Sequence, residues 1–214
     1  MRAVGVSFCL LFTILNTSLS AARTTADIDV ASTCDAVPRD IWRAAKTGDI
    51  DAQVIAGHSI LSGECGMSDD LLQLGLRWLH SAADTEHLGA AISLAMAYHM
   101  GDVIAADTER AITFYRQAAE AEIVDAQHTL GLLLISSDRP ENQEEGLFWL
   151  GAAASQGDGV SAAFLGMLHD KGMHGVDADE CLALDWYEAS ILLDAPVPVE
   201  SFITELSEGV RASC

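Results

Sequence analysis

A pattern that recurs about every 36 residues constrains the fold of this chain more than any other feature. Within it, bulky residues precede a pair of small ones, as in Phe114-Tyr115 before Ala118-Ala119. The predicted ends of successive second helices recur at intervals of 35 to 38 residues, at Gly48, Glu86, Glu122, Gly157 and Asp194. Such self-similarity is typical of arrays of helix pairs, in which each repeat packs on its neighbours. The sequence therefore predicts an all-α fold, a right-handed α-solenoid of helix–turn–helix repeats with terminal caps.

The same register predicts how the chain is divided. A signal peptide (1–22) and an irregular segment (23–37) precede an N-terminal half repeat (38–51), four repeats (52–89, 90–125, 126–160 and 161–197) and a C-terminal capping helix with a tail (198–214). Each first helix opens on a small residue and carries another five positions later, as at Ala126 and Gly131. We expect these small residues to lie where neighbouring helices approach each other closely.

The first 22 residues have the pattern of an export signal. Arg2 supplies a positive charge, Val4 to Leu15 form a short apolar run, and Ser20-Ala21-Ala22 offers a cleavage site. We predict cleavage after Ala22, with an uncleaved anchor as the alternative, and no stable membrane insertion after cleavage. The predicted localisation is periplasmic or secreted.

The chain is strongly acidic, with a formal net charge of −21 at pH 7. Such a chain repels phosphate backbones, so we predict no nucleic-acid partner. Many of the acids lie where second helices are predicted to begin, for example Asp107 and Asp179. Carboxylates stabilise a helix N-terminus, and we therefore assign them a structural role before any catalytic one.

One period of the sequence, residues 90–122, carries a recognisable motif: Ala90, Leu94, Tyr98, Gly101, Asp107, Ala111, Phe114, Tyr115, Ala118 and Ala119. This pattern resembles the Sel-one-like repeat family, relatives of the tetratricopeptide repeats. The chain departs from it at Ser136-Ser137, where the family favours glycine, and at Ile191, where it favours alanine.

The resemblance implies a scaffold that binds a protein or peptide partner through its concave face, as an adaptor or regulator in the bacterial envelope. We expect a monomer. One alternative is a β-lactam-binding or weakly β-lactamase-like protein, because exported cysteine-rich relatives have that association. Those relatives carry a cysteine pair in each repeat, whereas this chain keeps cysteines near its ends. A second alternative is a peptidoglycan-associated protein.

Four cysteines remain after the predicted cleavage: Cys34, Cys65, Cys181 and Cys214. In arrays of this kind, the start of one helix and the end of the next lie at the same edge. We therefore predict the disulfides Cys34–Cys65 and Cys181–Cys214, one at each end of the array.

No hydrolase, zinc-protease or nucleotide-binding motif is found, and we predict no catalytic residue, metal or cofactor. Residues of the first helices that are predicted to project toward the concave surface form the candidate ligand-binding set: His58, Met96, His99, His128, Leu132, Met167 and Asp170. Flexible methionines would give this surface an adaptable apolar floor. Ordinary packing between helices is one alternative, and copper or zinc binding by His58, His99, His128 and the methionines is another.

Overall fold

The computed structural model describes residues 34–66, 68–137 and 139–210, the last four for their backbone only. These residues form ten α-helices and no strand: α1 (Arg39–Lys46), α2 (Ile50–Leu61), α3 (Asp69–Ala83), α4 (Leu88–Met100), α5 (Thr108–Glu120), α6 (Val124–Ile135), α7 (Pro140–Ser155), α8 (Gly159–Lys171), α9 (Glu180–Leu192) and α10 (Glu200–Val210). No helix in the described part is both long and apolar enough to cross a membrane. The predicted signal peptide, its cleavage site at Ala22 and Cys214 lie outside the described residues.

Helices that are consecutive in the sequence pack against each other. The extensive contacts join α2 with α3, α4 with α5, α6 with α7 and α8 with α9, and each pair packs on the next. The first helix α2 also contacts the first helix α4 directly. This arrangement confirms the predicted all-α solenoid of helix pairs.

Acidic side chains cap several helices. Asp107 accepts a hydrogen bond from the backbone N–H of Arg110 at the start of α5, and Asp179 does the same for Leu182 in α9. A cap of this kind stabilises a helix by about 1 kcal/mol. The structural role predicted for these two acids is confirmed.

Every second helix ends in the same way. Two residues after the end of α1, α5, α7 and α9, and three residues after the end of α3, the backbone has a positive φ: 97° at Gly48, 62° at Glu86, 62° at Glu122, 102° at Gly157 and 55° at Asp194. The following N–H then donates to a carbonyl five residues earlier, as Ile123 does to Ala118 at 3.2 Å. This is the Schellman ending, and it turns the chain into the next repeat.

The small residues of the first helices lie at close helix contacts, as predicted. A Cβ atom added to Gly166 would lie 2.6 Å from the ring of Tyr187 in α9. The backbones of α6 and α7 approach so closely that a Cβ on Gly146 would lie 2.9 Å from the carbonyl oxygen of Gly131.

Packing holds both ends of the array, and a disulfide also holds the N-terminal end. Trp42 of α1 packs on Trp78 of α3 with ring centroids 6.0 Å apart, and the predicted Cys34–Cys65 disulfide is confirmed, with a Cα–Cα distance of 4.4 Å. Cys181 is also disulfide-bonded. At the C-terminal end, Val199 and Leu206 are buried in one cluster with residues of α8 and α9, so α10 covers the last repeat.

Candidate functional site

The first helices α2, α4, α6 and α8 form one continuous surface, here termed the first-helix face, which exposes side chains such as Ile55, His58, Met96 and Val160. A step is the groove between one first helix and the next, with α10 taking the last position. In the repeat register Met96 and Met167 correspond to His58, and Ile92 corresponds to His128, so the steps can be compared position by position.

A histidine closes the step between α2 and α4. Nδ1 of His58 lies 3.1 Å from Oγ of Ser93, and that hydroxyl donates its hydrogen to the carbonyl of Gly89 at 2.7 Å. Because the serine hydrogen is already used, Nδ1 of His58 carries the hydrogen in their mutual bond. The exposed imidazole therefore joins two repeats across the groove.

A second histidine closes the step between α6 and α8. Nδ1 of His128 lies 2.7 Å from Oγ of Ser161 and 2.9 Å from Oδ2 of Asp158. Burial works against the charge of Asp158, but hydrogen bonds from Ser161 and Val160 and the positive potential of His128 outweigh it, and the pKa of Asp158 is held below its usual value. Asp158 also caps α8, so one carboxylate both caps this helix and binds His128 of α6.

Ser161, His128 and Asp158 lie in contact here, but they do not form a catalytic triad. In a hydrolase triad the aspartate and the serine bind opposite ring nitrogens. Here Ser161 and Asp158 both contact Nδ1 of His128, and Ser161 is fully buried. The cluster links α6 to α8 by hydrogen bonds, and Ser161 is not placed to act as a nucleophile.

The step between α4 and α6 is open. It holds a pocket of about 270 Å³ whose lining comes from α4, α5, α6 and the segment between the last two: Ile92, Met96, Tyr115, Ile123, Asp125, Ala126 and Thr129. Burial raises the pKa of Tyr115, so the phenol that lines the pocket is neutral at physiological pH. Asp125 is the only charged residue of this lining. The pocket combines an apolar wall with a single carboxylate.

The step between α8 and α10 is also open, but its lining is apolar. A cavity of about 140 Å³ is lined by Val160, Ala163, Phe164, Met167, Tyr187, Val197, Val199 and Phe202. Nearby, Asp170 accepts hydrogen bonds from Lys171 Nζ at 2.8 Å and from Tyr187 OH at 3.4 Å. Burial and the charge of Asp170 raise the pKa of Tyr187 to about 12.

The residues predicted for the ligand-binding set therefore have different environments. Met96 and Met167 line the two open pockets, whereas His58 and His128 close the other two steps. His99 is exposed, with Nδ1 3.4 Å from the hydroxyl of Tyr115. The remaining two are not open to a ligand in the same way, since Leu132 packs against a core cluster and Asp170 is ion-paired.

The histidines considered as metal ligands belong to three different repeats. Each makes its own contact with a serine or tyrosine hydroxyl. Across the residues that the structure describes, no three His, Cys, Asp or Glu side chains are grouped closely enough to hold a metal ion.

Sequence reasoning missed the part of the α4–α6 pocket that α5 and the start of α6 contribute. Asp125 and Thr129 face Ile92 and Met96 across the step, and Tyr115 comes from a second helix. The repeat register contained a signal for these residues. Ser93 and Ser161 face the preceding repeat at the two closed steps, and they correspond to Thr129 and Ala126 in the lining of the pocket.

A further groove lies on the side of the second helices, between α3 and α5. Arg110 Nη1 donates to the hydroxyl of Tyr98 at 3.0 Å, and that hydroxyl shares a hydrogen bond with Nε2 of His80, 3.1 Å away. Burial lowers the pKa of His80, the charge of Asp84 opposes this effect, and Arg110 adds to it. The chain Arg110–Tyr98–His80 links three consecutive helices.

Stacked helix pairs, an extended surface and two open steps define a helical-repeat scaffold. Four Sel1 repeats match the sequence, at residues 50–85, 89–122, 124–158 and 159–194. These segments make up more than half of the chain, which therefore belongs to the Sel1 repeat family. Proteins of this family typically mediate protein–protein interactions.

Two solved structures are similar to this chain. One is a protective antigen present in uropathogenic Escherichia coli strains that displays an SLR fold, with 24% identity and a TM-score of 0.57 over 72% of this chain and 32% of the other. The second is a Sel1 repeat protein from Oxalobacter formigenes, with 24% identity and a TM-score of 0.56 over 71% of this chain and 61% of the other. At this identity the likeness shows the fold alone. The chain spans less than two thirds of either protein, and no curated protein sequence matches it significantly.

Proposed function

We propose that this protein is an exported scaffold that binds a peptide segment of a partner protein on its first-helix face, as an adaptor or regulator in the cell envelope. One observation carries the proposal: the step between α4 and α6 is open and has an apolar wall, whereas the steps on either side of it are closed by His58 and His128. A groove interrupted in this way provides a defined place for a side chain of the partner.

The exposed apolar side chains of this face favour association. Met96 is 37% exposed and Ile55 is 48% exposed. Full burial of such a side chain contributes roughly 1.5–3 kcal/mol, and methionine adapts to partners of different shape. Because the repeats line up in one row, several such contacts can be made along one extended peptide.

Two features support export. The first 22 residues have the pattern of a signal peptide, and Cys34 and Cys65 form a disulfide of the kind that persists in oxidising compartments. We propose a periplasmic or secreted monomer that begins at Arg23. The mass of the protein recovered from the periplasm or medium tests this, since a mature chain that retains residues 1–22 contradicts it.

Site-specific photo-crosslinking in the producing cells tests the binding surface. A photoreactive residue at Met96 is expected to capture one defined partner, and the same residue at Leu182, which is 36% exposed on the second helix α9, serves as the matched control. The captured peptide is identified by mass spectrometry. Equal capture from both positions, or capture from Leu182 alone, would place the partner elsewhere.

A further inference from the structure

We infer that the partner presents a lysine or arginine side chain to the pocket between α4 and α6. The methylene stem lies along Ile92, Met96 and Ile123, and the cationic head binds the carboxylate of Asp125. This inference rests on the proposed function and adds the chemistry of the partner to it.

The lining of the pocket matches the shape of such a side chain. Lys and Arg bury an apolar stem while the charged head stays near water. The pocket offers an apolar wall and one carboxylate from an exposed residue, Asp125. The other open step, between α8 and α10, has no charged lining residue, and it fits a purely apolar side chain instead.

The carboxylate of Asp125 is available to a ligand. Helix α6 has Ile123 at its N-cap position and no side-chain cap. Thr129 Oγ1 donates to the backbone carbonyl of Asp125 at 2.8 Å, which leaves the carboxylate out of that bond. No hydrogen bond or ion pair engages this carboxylate within the described part of the chain, and a cationic ligand would be its first charged partner.

The charge of the whole molecule favours the same ligand. A net charge of −21 attracts a basic segment and repels an acidic one before contact is made. The arginines Arg77 and Arg110 line the groove on the second-helix side, whereas no lysine or arginine lines the α4–α6 pocket. The local and the overall electrostatics therefore agree at this pocket.

Blocked pentapeptides that differ only at their central residue test the inference. The probes are Ac-Gly-Ser-X-Ser-Gly-amide with X as lysine, norleucine or glutamate, titrated into the full chain and followed by NMR at the methyl groups of Ile92, Met96 and Thr129. Norleucine keeps the stem of lysine without its charge. We expect the lysine peptide to bind about two- to five-fold more tightly than the norleucine peptide, the range of an exposed ion pair, and the glutamate peptide to bind most weakly.

Two variants with the same change of charge provide the comparison. Asp125→Asn is expected to reduce the affinity of the lysine peptide to that of the norleucine peptide. Asp185→Asn removes the same charge from an exposed residue of α9, outside the pocket, and should keep the preference for lysine. High salt should weaken that preference in the parent protein.

The outcomes separate this inference from the proposed function. Equal binding of lysine and norleucine peptides, or a preference that survives in Asp125→Asn, overturns the cationic anchor while peptide docking at the pocket stands. If no peptide shifts the pocket signals, the anchor is overturned as well, and crosslinking at Met96 decides the proposed function by itself.

Discussion

Five residues at equivalent positions adopt a left-handed backbone conformation after α1, α3, α5, α7 and α9, and only two of them are glycines. Glu86, Glu122 and Asp194 adopt this conformation with a Cβ atom present. For most side chains it costs about 1 kcal/mol relative to glycine. The repeat thus requires a left-handed residue at this position, and at three of the five positions the sequence lacks the glycine that would adopt it without strain.

Replacing Glu122 by glycine is expected to stabilise the protein. Glu122 has a φ of 62° and its side chain is exposed, so Glu122→Gly removes strain without loss of packing. We expect the free energy of unfolding, measured by urea titration, to rise by about 1 kcal/mol. Glu122→Gln is the control for charge and should have little effect. An equal gain from both variants would assign the effect to charge repulsion.

His80 makes stability depend on pH in a defined direction. Its pKa is lowered from an ordinary value of 6.5, mainly by burial, so the unfolded chain binds the proton more readily than the folded chain does. The stability that the neutral ring provides is present above that ordinary value and is lost as the pH falls below it. We expect the loss of unfolding free energy between about pH 7 and about pH 5 to be smaller in His80→Gln than in the parent. An identical slope in both proteins would show that His80 does not carry this dependence.

At the scale of the helix, α7 contains two glycines with opposite requirements. A Cβ on Gly146 would lie 2.9 Å from the carbonyl oxygen of Gly131 and 2.9 Å from the amide nitrogen of Ile135, both backbone atoms of α6. A Cβ on Gly151 would meet nothing within 4 Å. The two positions separate close helix packing from helix propensity within one element.

Gly146→Ala is therefore expected to destabilise the protein by about 1–3 kcal/mol, because neither backbone atom can move without separating α6 from α7. Gly151→Ala should stabilise it by about 0.5–1 kcal/mol, since alanine favours the helix and has space for its methyl group. Thermal and urea unfolding of the two variants measure the difference. A gain in both would mean that the helix contact is looser than the structure shows.

Helix pairs and close glycine contacts follow from local spacing, and their prediction was confirmed. The openness of a step depends on which side chains meet across two repeats, and spacing within one repeat does not contain that information. His58 and His128 were predicted to face a ligand, but each binds a serine of the following repeat. The Asp125 carboxylate was missed because acids were considered only where second helices begin, whereas Asp125 lies in the first turn of the first helix α6.

At the scale of the whole molecule, the array is held by contacts between neighbours, and its ends have a neighbour on one side only. The Cys34–Cys65 disulfide closes a separation of 31 residues and joins the segment before α1 to the segment after α2. The N-terminal half repeat is thus held by a covalent bond as well as by the packing of Trp42 on Trp78.

Removal of this disulfide should loosen one end of the array and leave its middle intact. The double variant Cys34→Ser with Cys65→Ser is expected to lose about 3–4 kcal/mol of stability in the chain-entropy account. In hydrogen exchange, the amides of α1 and α2 should lose protection while those of α6 keep it. Uniform loss along the chain would indicate that the repeats unfold as one cooperative unit.

The shared left-handed endings have a consequence for how such a molecule changes length. Glu122 and Gly157 both turn the chain with a positive φ into the next first helix. Excising residues 123–157 would therefore place Asp158 directly after Glu122, which adopts the same left-handed conformation as Gly157. Duplicating these residues would add one repeat that ends in the same conformation. Genetic gain or loss of one such unit would lengthen or shorten the first-helix face by one repeat, while the turns on either side keep their shape.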